Sequence, residues 1–239
     1  MADLQQGRVH WIEDFTSPFD ATDTIVGRCN FLVTGGTLVS TGVNGGGATL
    51  LTSTGEGDYA VMYGPLAFEP DECTVAMMQA RLSISPIASA SVFIGFTDAI
   101  TDNVLIEDEE GTLESDPTDA FGILLEGEQD ETYQTVGVQN GADATQVAIG
   151  AATNDVTVAD QTDGNYHTVK IEGVSADSGT MRVFLSDVNG NLQLVATRTA
   201  YFRPSIVYAP VVALDGRAIA VTLNLAELGW DGNKGASFD

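Results

Sequence analysis

In the segment "AIAVTLNLAEL", Ile219, Val221, Leu223 and Leu225 alternate with Ala220, Thr222, Asn224 and Ala226, the period of a strand with one face in a core. "TMRVFLSD" sets Met181, Val183 and Leu185 opposite Arg182, Phe184 and Ser186, and "NLQLVATR" repeats the scheme with Leu192, Leu194 and Ala196. Asn189-Gly190 lies between these two runs and predicts a two-residue hairpin turn, because both positions tolerate positive φ. "CTVAMMQARLSIS" starts apolar on both faces and then alternates, as a central strand does where it leaves a core. Strand-like runs cover about residues 24–34, 36–53, 58–64, 72–85, 90–97, 120–126, 132–139, 144–151, 165–173 and, with interruptions, 179–227. Turn signals punctuate them at Asn44-Gly45, Asn140-Gly141, Asp163-Gly164 and Asp215-Gly216.

No amphipathic helix intervenes, so the pattern predicts an all-β protein, a two-sheet antiparallel β-sandwich or jelly roll. No internal repeat or Pro/Ser-rich linker divides the 239 residues, which suit one large β domain. The expected organisation is an N-terminal arm over residues 1–11, a single sandwich over 12–230 and a C-terminal tail over 231–239. The long irregular stretch at residues 100–121 reads as an acidic loop that moves or touches something.

Charge changes this picture most. Nine basic residues against 34 acidic ones give a net charge of −25, so phosphate backbones and anionic lipid are repelled and neither nucleic acid nor membrane is an expected partner. The plain reading is a solvated surface; the sharper one is a saline setting, where salt screens acidic neighbours from one another. No stretch approaches the roughly 20 apolar residues that span a bilayer. The start, "MADLQQGRVHW", lacks the apolar core of a secretory signal, so synthesis in the cytosol is expected. Cys29 and Cys73 lie in apolar segments and read as two buried thiols, with a single bridge as the alternative.

Enzyme chemistry finds little support. In "LLEGEQDE", Glu126, Glu128 and Asp130 would share one strand face as a glycosidase pair does, but Gly127 and Gln129 between them cannot pin that strand to a core. The segment reads instead as a strand fraying into an acidic turn. Asp98, Asp102 and the acids from Glu107 to Asp119 could offer oxygen ligands, yet their spacing matches no EF-hand loop, and a solvated acidic loop is expected. No metal or cofactor is therefore expected. Only His10 and His167 could serve as a triad base. His10 belongs to the arm, and His167 alternates with Val169 and Ile171, which turns its ring toward the apolar side as a hydrogen-bonded structural residue. Trp11 and Trp230 near the termini read as anchors of the chain ends, while the six tyrosines are scattered and mark no sugar platform.

"DGNYHTVKIEG", followed by "GTMRVFLSDVNGNLQLVA", resembles the late strands of laminin-G-like and concanavalin A-like domains. There an aromatic residue and a histidine open a strand, and the next hairpin carries Asp or Asn with Gly at its tip; Tyr166, His167, Asp187, Asn189 and Gly190 match, with tyrosine where tryptophan is usual. "IEDF", "ASVFIGFTDA" and "LNLAELGW" are similar too, so the resemblance spans most of the chain and implies a concanavalin A-like jelly roll. The E-x-D-x-E strand of the laminarin-type glucanases is missing, which implies a catalytically silent member. Acidic, single-domain versions resemble virion structural proteins of tailed bacteriophages. That resemblance implies a non-enzymatic capsid decoration or head-fibre subunit, located in the virion and partnered by the major capsid protein and by copies of itself. Val9, His10 and Trp11 would then make the assembly contact. A carbohydrate-binding, lectin-like module that meets a surface glycan is the alternative, and a glycoside hydrolase is a third reading.

Overall fold

A computed structural model of the chain describes residues 8–13, 15, 25–26, 29–40, 47–54, 58–66, 68–100, 106–109, 112–115, 117–127, 133–143, 147–148, 164–187, 189–216 and 219–234. Asn44-Gly45, Asp102, Glu128 and Asp130 lie outside these residues. The first strands are β1 (Arg8–Glu13), β2 (Ile25–Val26), β3 (Cys29–Thr34), β4 (Thr37–Ser40), β5 (Ala48–Leu51) and β6 (Tyr59–Tyr63). Next come β7 (Cys73–Ser85), β8 (Ala90–Thr97), β9 (Ile106–Glu109), β10 (Thr112–Ser115), β11 (Ala120–Glu126), β12 (Tyr133–Gln139), β13 (Ala142–Asp143) and β14 (Val147–Ala148). The chain closes with β15 (His167–Val174), β16 (Thr180–Ser186), β17 (Leu192–Arg198), β18 (Ala209–Gly216) and β19 (Thr222–Lys234).

These strands build two antiparallel sheets, as the alternation predicts. Sheet A runs β17-β16-β15-β7-β19-β5-β4, with β1 also paired to β19; sheet B runs β13-β12-β11-β8-β18-β6-β3-β2, with β14 on β12. The core lies between them. Val169, Ile171, Met181, Val183, Leu82, Leu223 and Leu225 of sheet A meet Val92, Ile94, Phe96, Ile123, Leu125, Val212 and Leu214 of sheet B. Phe121 stacks on Phe96 and Phe202 at centroid distances of 4.9 and 4.1 Å, and a Cβ on Gly173 would stand 2.7 Å from its ring, so β15 needs glycine there.

The central strands of sheet B are buried on both faces. The outer face of the sheet carries a second apolar cluster with Val61, Phe93, Leu124, Val136, Val211 and Ala213. Hence β8, β11 and β18 are buried at every position, which is why they read as continuous apolar runs.

Several expectations change. β1 and β19 pair from Arg8↔Asn233 to Glu13↔Leu228, so the arm boundary after residue 11 falls inside one strand and the tail boundary after residue 230 inside the other. Trp230 anchors the chain end by burial: at 2% exposure it lies in the core, on the last strand. A bulge between Leu225 and Glu227 shifts the alternation by one residue, so Leu228 and Trp230 face inward as Leu223 and Leu225 do. Residues 100–121 are not wholly irregular, because β9 and β10 pair from Thr112↔Glu109 to Ser115↔Ile106. Asp119 is no solvated loop acid; it is fully buried and ion-paired with Arg203, whose Nε donates to Oδ1 at 2.6 Å. Asp215-Gly216 does not break β18 but ends it, with Asp215 buried. Cys29 and Cys73 are both buried, and no disulfide joins them.

Trp230 packs so tightly that a Cβ on Gly64 would stand 2.9 Å from its ring. Trp230→Ala is expected to cost about 3–5 kcal/mol in urea unfolding, the range for emptying a large aromatic site. An unchanged midpoint would show that the second half of β19 carries no core.

Candidate functional site

The late motif folds into one place. Gly164, at φ +77°, turns the chain, and its N–H donates to the Ile84 carbonyl of β7 at 3.0 Å. β15 then starts at His167, opposite Leu82, with Thr168 opposite Arg81. The Thr168 N–H donates to Ser186 Oγ at 2.9 Å, which fastens the start of β15 to the end of β16. The β16–β17 hairpin follows. It is not closed as the expected two-residue turn: the Asp187 N–H donates to the Asn191 carbonyl at 2.9 Å, and Gly190 takes the positive φ, +82°. The two-residue form occurs at Asn140-Gly141, where φ is +54° and +70° and Gln139 pairs with Ala142.

Asp187 holds the hairpin from within. Its Oδ1 accepts the N–H groups of Asn189 and Asn191 at 2.9 and 2.8 Å, and its Oδ2 accepts Gln193 Nε2 at 3.1 Å. These donors, the Asn191 backbone first, hold its carboxyl below the ordinary value of 3.8.

His167 is 6% exposed, in keeping with its place in the alternation. Its Nε2 lies 2.7 Å from the Tyr133 hydroxyl and its Nδ1 3.5 Å from the Asn165 carbonyl. Burial pushes the Tyr133 hydroxyl far above the ordinary tyrosine range, so it stays protonated and shares a hydrogen bond with Nε2. Nε2 of His167 is thus engaged by a buried phenol.

Between the start of β15 and the hairpin opens a cleft of about 320 Å³. Arg81, Asn165, Tyr166 and His167 line one side, and Ser186, Asp187 and Gly190 the other. Tyr166 is 47% exposed, and the Arg81 guanidinium carbon lies 5.1 Å from its ring centroid. Four of the five motif positions therefore line one concavity, and Asn189 joins them through its bond to Asp187. Sequence reasoning missed Arg81, which no motif marks; it arrives because β7 pairs with β15. Val9, His10 and Trp11 lie elsewhere, on β1, opposite Gly232, Asp231 and Trp230 of β19. Among the described residues no three His, Cys, Asp or Glu side chains cluster as metal ligands.

No family model matches this sequence, and no curated protein matches it. Solved structures share its fold. A protein of unknown function from Shewanella oneidensis MR-1, SO2946, superposes with a TM-score of 0.64 at 16% identity over 98% of this chain and 90% of its own. The CBM2 module of the evolved Dit of Lactobacillus casei BL23 phage J-1 does so at 0.56 and 13%, covering 98% of this chain and all of the module. Peanut lectin follows at 0.55 and 10%, over 96% and 99% of the two chains. A Bacillus licheniformis β-glucanase shares the fold at 0.53 and 13%, over 92% and 97%. The chain is thus a concanavalin A-like jelly roll, the architecture of lectins and of at least one hydrolase.

Two outcomes test the site. Tyr133→Phe should cost about 1–3 kcal/mol in chemical denaturation, the usual penalty for removing a buried partner. Asp187 is held below 3.8 in the fold, so its contribution is complete above that value and is lost as pH falls through the lower folded value. The protection of the Asn189 and Asn191 amides, taken as their exchange rate relative to the unfolded chain at the same pH, should therefore hold down to pH 3.8 and fall only below it. Protection that is already lost above pH 3.8 would show that Asp187 does not hold the loop.

Proposed function

We propose that this chain is a non-catalytic, lectin-like module that binds glycan in the cleft beside Tyr166. The observation that carries this reading is the half-exposed Tyr166 ring, steadied by Arg81, next to the fixed carboxylate of Asp187. A sugar ring presents a face of C–H groups and a rim of hydroxyls; the phenol suits the first and the carboxylate the second. The likeness to peanut lectin and to a CBM2 module supports the class. A net charge of −25 repels sulfated and uronic sugars, so a neutral glycan is the expected ligand.

Hydrolysis has less support than binding. The outward positions of β11 are Ala120, Gly122, Leu124 and Glu126, one carboxylate where a glucanase strand carries several. Glu126 is itself 1% exposed, out of reach of a polysaccharide.

A second reading sets this module on a phage particle, as a capsid decoration or head-fibre subunit against the major capsid protein, and the full-length likeness to a phage-borne module favours it. In that setting Val9, His10 and Trp11 make the assembly contact. Among the described residues β1 is an edge strand, so its outer backbone can take up a strand from a neighbouring subunit. The two readings combine in a particle-borne protein that displays the cleft outward.

On a glycan array the folded chain should retain at least one neutral glycan, and Tyr166→Ala should weaken that binding roughly tenfold or more, as losing a main contact of about 1.4 kcal/mol would. Equal binding by the variant would remove the cleft from consideration, and silence on the whole array would leave the particle reading, decided by counting this chain against the major capsid protein by quantitative mass spectrometry.

A further inference from the structure

Among the described residues the exposed large apolar side chains are mostly scattered, but Tyr166, Leu192 and Leu194 stand on one side of sheet A, beside the cleft. Met181, Val183 and Leu185 of β16 lie in the core, so Phe184 and Ser186 point outward. The register Phe184↔Leu194 and Ser186↔Leu192 turns both leucines to that outer side, where they are 44% and 39% exposed. A bulge then shifts the pairing by one residue, so Val195 and Ala196 pack toward the core and the outward apolar groups of β17 are confined to the two leucines.

Ser186 is also part of the cleft wall, so the leucines continue the cleft across the hairpin. With strands about 4.8 Å apart, β17 lies roughly 10 Å from β15, at whose start Tyr166 stands. The continuation differs from the cleft in kind. Phe184 is half-buried, with the Lys170 ammonium 4.9 Å from its ring centroid, and Lys170 is paired with Glu172 at 2.6 Å. The leucines neither donate nor accept, so a sugar hydroxyl laid on them would lose water and gain no partner. From Leu192 to Thr197 β17 carries no charge, although among the described residues it ends sheet A and the chain has 34 acidic residues to spend on its edges. An uncharged apolar strip joined to a polar cleft suits a ligand with the same two halves.

We infer that Phe184, Leu192 and Leu194 form a subsite for a hydrocarbon aglycone, so that the ligand is an amphipathic glycoside and not a free sugar. The inference rests on the glycan reading: the sugar sits against Tyr166, and its alkyl or aryl substituent lies along the leucines. Neither half carries charge, as the acidity of the chain demands.

The test is a glycan array on which each neutral glycan is printed twice, once on an octyl spacer and once on an oligo(ethylene glycol) spacer, beside the bare octyl spacer. The full chain should bind its glycan roughly tenfold more tightly on octyl, a gain that about two buried methylene groups supply. The Leu192→Ser/Leu194→Ser double variant should lose that preference and keep the affinity for the ethylene glycol form. Equal binding on both spacers overturns the subsite and leaves the glycan reading standing. A preference that survives in the double variant, or equal retention by bare octyl, overturns it as well. Silence on every sugar removes the glycan reading and the subsite together. If light scattering shows a dimer that the double variant dissolves, with no spacer preference, a second copy covers the strip and the inference fails. Should the double variant not fold by circular dichroism, Leu194→Ser alone decides on the same comparison.

Discussion

The pairing of β7 with β19 is the constraint on which the sandwich depends. Each strand has 13 residues, and sheet A extends from the pair in both directions: β15, β16 and β17 beyond β7, and β1, β5 and β4 beyond β19. A strand with strict alternation at this length would place every apolar residue on one parity. The residues of β19 do not obey that rule. Leu223 and Leu225 occupy odd positions, Leu228 and Trp230 even ones, and the bulge between Leu225 and Glu227 makes both sets face inward. One inserted residue thus lets a single strand serve the core near Leu82 and again near Met78, and it supplies the backbone on which β1 pairs.

That bulge also marks where the sequence stops being readable. Alternation in "TMRVFLSD" and "NLQLVATR" identifies β16 and β17 and their pairing, because each has one face in the core and one outside. Past Leu225 the period slips, and the strand read from the sequence stops at about residue 227, which leaves Trp230 outside it. β8, β11 and β18 pose a different difficulty: burial on both faces erases alternation, so the sequence shows strands without showing which side each residue takes. The β9–β10 hairpin is hidden for the opposite reason, since "IEDEEGTLES" has too few apolar residues to display any period.

The candidate sites divide along the same line. Tyr166, His167, Asp187 and Gly190 are close in sequence, on two consecutive strands and their connections, so a local motif is enough to bring them together. Arg81 comes from β7, more than 80 residues earlier, and reaches the cleft only because β7 pairs with β15. Register, not composition, places it there. Asp215-Gly216 reads as a surface turn for this reason: the dipeptide has the chemistry of a turn, and only the pairing of β18 with β8 and β6 makes it the buried end of a strand.

His167 ties the cleft to the body of the fold. Its bond to Tyr133 joins β15 of sheet A to β12 of sheet B, so the floor of the cleft is tied across the core rather than to one sheet. The hairpin wall is fixed independently by the donors that converge on Asp187. A histidine engaged in this way cannot swing toward a substrate without giving up a buried partner, at a cost of about 1–3 kcal/mol. The same rigidity favours binding, because a ligand that meets a preformed wall and floor need not order them. His167 is thereby held in the core, while Tyr166 stands at the open edge of the cleft.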